Sequence, residues 1–115
     1  MTAEDKSALV RRSIEQTRTI MYARLVRFAL GPGKESVATD LARDLVPEIS
    51  RQSGCRAVSC FGDAESGQYG LYVLWNSQEE ANAAAKIIRP KLDQHLTGHA
   101  LVPPETGLFR VIESV

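Results

Sequence analysis

Apolar residues occupy both parities of the stretch from Gln68 to Trp75, where Tyr69, Leu71, Val73 and Trp75 alternate with Tyr72 and Leu74. Such a run marks a strand buried on its two faces, so it predicts a central strand. Two residues later Ser77-Gln78-Glu79-Glu80 forms a capping box, with the serine hydroxyl accepting from the Glu80 N–H while the glutamate reaches back. A helix therefore begins almost where the strand ends. Ala81, Ala85, Ile88, Leu92 and Leu96 give it one apolar stripe, which Pro90 interrupts. The pattern predicts two helical segments with a bend, ending at Gly98.

The same periodicities order the rest of the chain. From Ile20 to Leu30 the β-branched and aromatic content predicts another buried strand, with Arg24 and Arg27 on opposite faces. Gly31-Pro32-Gly33 breaks it. From Lys34 a helix follows, with Val37, Leu41, Leu45 and Ile49 on one face, a kink near Arg43 imposed by Pro47, and Gly54 as its stop. Cys55 to Phe61 reads as a shorter strand, and 62–67 as a hairpin turn into the central strand. Residues 102–105 form an extended connector to a last strand, Leu108 to Ile112. Ahead of these, residues 1–19 carry Leu9, Val10 and Ile14 at loose helical spacing among charges, which predicts a frayed extension or a weak helix before a domain over 20–115.

Strand, helix, strand, strand, helix, strand is the ferredoxin-like βαββαβ order, an α+β fold with a four-stranded antiparallel sheet. Right-handed crossovers put both helices on one face of the sheet. The other face then keeps part of the set Tyr22, Leu25, Val26, Tyr72, Leu74, Phe109 and Val111, more apolar surface than a monomer normally shows. The simplest cover is the same face of a second copy, so the sequence predicts a homodimer of back-to-back sheets.

Composition narrows the function classes. At 115 residues the chain is long enough for one core, and 14 Lys+Arg balance 14 Asp+Glu. That balance argues against nucleic-acid or anionic-membrane partners. With no spanning apolar run and no signal-like block, a cytoplasmic location is expected. Cys55 and Cys60 lie five apart in one predicted strand, which puts them on opposite faces and about 16 Å apart at ~3.3 Å per residue. They are expected to be buried, reduced thiols.

MYARLVRFALGPGKES near the start of the domain, the Leu45-Val46-Pro47 to Ser53-Gly54-Cys55 helix ending, and Tyr72-Val73-Leu74-Trp75-Asn76-Ser77-Gln78-Glu79-Glu80-Ala81 resemble the antibiotic biosynthesis monooxygenase family of dimeric α+β barrels. The resemblance covers roughly residues 20–113. It implies a dimer with a ligand cavity between sheet and helices, and members that oxygenate anthrone- or quinol-like aromatics without a cofactor, degrade haem, or have no known activity. The haem-degrading branch needs an Asn in the first strand, a Trp inside the second helix and a His near its end. Only His95 matches, which disfavours haem. His95 and His99 mimic a metal pair, but Gly98 between them ends the helix and no third ligand is near, so neither metal nor cofactor is expected.

What remains is an aromatic and polar set for a pocket. Trp75, Asn76, Tyr72, Arg24 and His95 are the candidate catalytic residues, able to steady a substrate carbanion or phenolate while the substrate itself reduces oxygen. A non-catalytic ligand-binding or structural dimer of the same fold is the alternative. Ala81, Ala84 and Ala85 shorten the near end of the second helix, whereas Ile88 and Leu92 hold up its far end. The expectation is a cavity beside Trp75 and Asn76 for a small aromatic ligand.

Overall fold

The computed structural model describes residues 20–115, so the extension expected over residues 1–19 lies outside the described residues. The elements run β1 (Tyr22–Ala29), α1 (Glu35–Ser50), β2 (Cys55–Asp63), β3 (Gln68–Trp75), α2 (Gln78–Leu96) and β4 (Glu105–Arg110). Their sheet has the order β2-β3-β1-β4, antiparallel at every pairing. This is the ferredoxin-like βαββαβ arrangement read from the periodicities.

Both helices lay their apolar stripes on the same sheet face. Leu41, Leu45 and Ile49 of α1 and Ala81, Ala84, Ile88, Leu92 and Leu96 of α2 are buried against Phe28, Tyr69, Leu71, Val73 and Trp75. The two prolines do not divide the helices: α1 runs through Pro47 and α2 through Pro90. Both prolines, and Arg43 and Lys86 four residues before them, are exposed, so water can replace the missing backbone bonds and no break is required.

The start of α2 keeps the expected cap, with Ser77 Oγ accepting from the Glu80 N–H at 3.2 Å. The Glu80 carboxylate, however, turns to hydroxyls: it accepts from Ser77 Oγ at 3.0 Å and from Ser53 Oγ at 2.8 Å. That second bond ties the loop after α1 to the first turn of α2. Gly54 lies against this carboxylate with φ +85°, and a Cβ there would sit 2.3 Å from Glu80 Cδ.

Within one chain the helices cover a single face of β3: Tyr69, Leu71, Val73 and Trp75 are buried beneath them, whereas Tyr72 on the other side is exposed and Leu74 half-buried. One expectation about strand faces is corrected: the cysteines share a face. Cys55 pairs with Trp75, but Ala57 pairs with Leu74, so Arg56 is an extra residue in a β-bulge. The bulge resets the alternation and turns Cys55, Val58 and Cys60 alike toward the core. Both thiols are free, and burial pushes the pKa of each up, which keeps them protonated and unreactive.

The outer sheet face reads in rows across β2-β3-β1-β4. Ala57, Leu74, Ala23 and Phe109 form one row, Ser59, Tyr72, Leu25 and Gly107 the next, and Phe61, Gly70, Arg27 and Glu105 a third. Tyr22 and Val26, candidates for this face, point to the helices instead. Two glycines make room for rings: a Cβ on Gly70 would meet the Phe61 ring at 2.5 Å, and one on Gly107 the Phe109 ring at 2.7 Å. Among the described residues no helix is long and apolar enough to cross a membrane.

Candidate functional site

Small side chains at the start of α2 leave space above the sheet. Ala81, Ala84 and Ala85 form the roof, while Trp75, Val73 and Leu71 of β3 and Val26 and Arg24 of β1 form the floor. Ile49, Ile88 and Leu92 close the sides, and Pro104 and Thr106 border the β4 edge. The cavity, partly open to solvent, measures about 330 Å³, at the small end of ligand sites and suited to roughly two or three fused rings.

Three cations stand in this wall. Arg24 shares the inward face of β1 with its neighbours Val73 and Leu108. Its Nη2 donates to Asn82 Oδ1 on α2 at 2.9 Å, and burial lowers its pKa. The guanidinium still stays charged, since an arginine does not deprotonate in proteins. Lys86 and Arg89 approach from α2, one and two turns beyond Asn82. The Trp75 ring is part of the floor, but its Nε1 is itself buried and has no hydrogen-bond partner. It is a donor behind the wall rather than on it.

This geometry can be set beside known proteins. No family model matches the chain, and no curated protein matches it. Solved structures do. A candidate antibiotic biosynthesis monooxygenase from Nitrosomonas europaea superposes with a TM-score of 0.71 at 14% identity, over 82% of this chain and 92% of that one. A monooxygenase from the gene ActVA-Orf6 of Streptomyces coelicolor, in complex with nanaomycin D, gives 0.65 at 17% identity, over 87% and 95%. A variant of SnoaB, a cofactor-independent oxygenase from Streptomyces nogalater, gives 0.64 at 15% identity, over 83% and 96%. The chain has the fold of the antibiotic biosynthesis monooxygenases.

Within this monooxygenase fold, the five residues singled out in the sequence part company. Arg24 and Trp75 line the cavity. Tyr72 does not, because its parity puts it on the outer face of the sheet. Asn76 is used at the end of β3: its N–H donates to the Gly54 carbonyl at 2.8 Å and its Oδ1 accepts from Arg56 at 3.1 Å. His95 bridges the helices through Asp44, with Nε2 and Oδ2 2.8 Å apart, and that bond holds the Asp44 carboxyl below its usual range. Among the described residues no group of three or more His, Cys, Asp or Glu side chains is placed to hold a metal.

Asn82, Lys86, Arg89 and Thr106 were missed by sequence reasoning. One signal was available, since Asn82, Lys86 and Arg89 recur at helical spacing alongside the apolar stripe, Lys86 and Arg89 reaching the cavity wall and Asn82 acting on it through Arg24. Thr106 gave none, because its place follows from the pairing of β4 with β1, where it faces Val26.

Proposed function

We propose that the protein binds a small aromatic ligand in the cavity under α2 and oxygenates it without a cofactor, acting as a homodimer through its outer sheet faces. The cavity carries this reading: a largely apolar cleft with the Arg24 guanidinium in its wall, in a fold shared with a nanaomycin D complex and a cofactor-independent oxygenase. For an anthrone, the methylene carbon loses a proton to a water molecule at the open side of the cavity, with Arg24 steadying the charge left on the ring oxygen. The carbanion passes electrons to O2, and a C–O bond forms. The O–O bond then breaks with loss of water, so anthrone and O2 become anthraquinone and H2O. Trp75 contributes packing for the rings.

One observation favours binding without turnover as the second reading. Among the described residues the cavity wall holds no histidine, tyrosine or carboxylate that could take the substrate proton. Oxygen uptake with an anthrone separates the two. Turnover predicts uptake above the uncatalysed rate, one O2 per anthraquinone, reduced at least about tenfold in Arg24→Gln, the scale of one charged hydrogen bond. Uptake at the uncatalysed rate with retained binding establishes the binding module.

A further inference from the structure

We infer that the cavity selects ligands that carry an anionic group, a carboxylate or a phenolate, on a two- or three-ring apolar body. The inference rests on the cavity being a ligand site and adds the charge of what enters it. The chain as a whole is balanced, with 14 basic and 14 acidic residues, so a wall containing Arg24, Lys86 and Arg89 but no carboxylate is a local excess. Acidic residues neutralise cations elsewhere: Glu48 takes Arg51 at 2.6 Å and lies 4.0 Å from Lys91. Around the cavity that compensation is thin. Arg89 reaches Asp93 only at 3.4 Å in an exposed pair, and Lys86 joins no ion pair among the described residues.

Arg24 is the centre of this excess. It is half-buried, and its one described hydrogen bond goes to a neutral amide, Asn82 Oδ1. A desolvated guanidinium held by an amide keeps its full charge and most of its donors, a state stabilised by an arriving anion. Asn82 is thus a positioning residue: it fixes the arm through Nη2 and leaves the rest of the fork for the ligand. A neutral polycycle would fill the same volume and leave Arg24 and Lys86 without an anionic partner. An ionised ligand also meets the lack of a base in the wall, because its proton is already gone.

Calorimetric titration with 2-naphthoate and its neutral isostere 2-acetylnaphthalene tests this, with Trp75 fluorescence as a local readout, since Trp75 is the only tryptophan. Wild-type protein is expected to bind the carboxylate at least about tenfold more tightly, the scale of one charged hydrogen bond, with the preference falling as salt rises. Arg24→Gln should abolish the preference, and Asn82→Ala should reduce it partway. Should Arg24→Gln not fold, the exposed pair Lys86→Gln with Arg89→Gln should shrink the preference instead. Equal binding of the two compounds, or a preference that survives these changes, overturns the charge inference alone. Binding of neither overturns the ligand-cavity reading and this inference with it.

Discussion

Glu80 shows how one side chain can organise a junction. Its carboxylate accepts from Ser77 and Ser53, and Gly54 packs against it with a left-handed backbone. Ser77→Ala removes the cap and should cost about 1 kcal/mol, read as a lowered urea midpoint. Gly54→Ala should cost more, about 1–3 kcal/mol from the backbone conformation plus the overlap with Glu80. Adding Glu80→Ala separates the two, since it relieves the overlap and leaves the φ cost. If the double variant loses as much stability as the sum of the two single losses, the contact contributes nothing. The serine and glutamate of this junction were legible because a capping box is local in sequence. The close approach of Gly54 was not, for it joins residues 26 apart through the packing of α1 on α2. The same limit applies to Asn76 and His95, whose partners Arg56 and Asp44 are distant in the chain.

At the scale of the element, α2 was legible as a helix and as a source of space. The stripe from Ala81 to Leu96 is buried as its period requires, and the alanines do roof a cavity. The uncertain parts were those that depend on which way a strand faces. A run apolar on both parities, as in β3, does not say which parity meets the helices, and this is why Tyr72 went to the site when it belongs to the other face. In β2 the bulge at Arg56 reverses the alternation, something no count of residues between Cys55 and Cys60 reveals. The cavity itself yields a prediction. Ala84→Trp places a ring into open volume, so it should cost at most about 3 kcal/mol, within the range for overpacking, while abolishing binding of both naphthalene compounds. Loss of the folded state in that variant, by circular dichroism, would show that the roof rests on the sheet.

At the scale of the molecule, the outer sheet face is the surface on which the proposed homodimer rests. Its rows place apolar residues toward one end, Leu74 with Phe109 and Tyr72 with Leu25, and charge toward the other, Arg27 with Glu105. Phe61 and Phe109 are 49% and 55% exposed, and each lies over a glycine that frees a flat surface for it. Two such faces packed back to back bury the rings, and the glycines let the sheets approach closely. Alone, the chain would leave about half of each ring in water, forgoing about 1 kcal/mol of burial apiece. Wild-type protein at micromolar concentration should therefore sediment at twice the 12.6 kDa chain mass. Phe109→Glu puts a charge into that contact without touching the helix-side core, so it should give a folded species near 12.6 kDa, with the helical circular dichroism signal retained. A wild-type mass of one chain would remove the dimer. A Phe109→Glu protein that stays dimeric would move the contact to another surface.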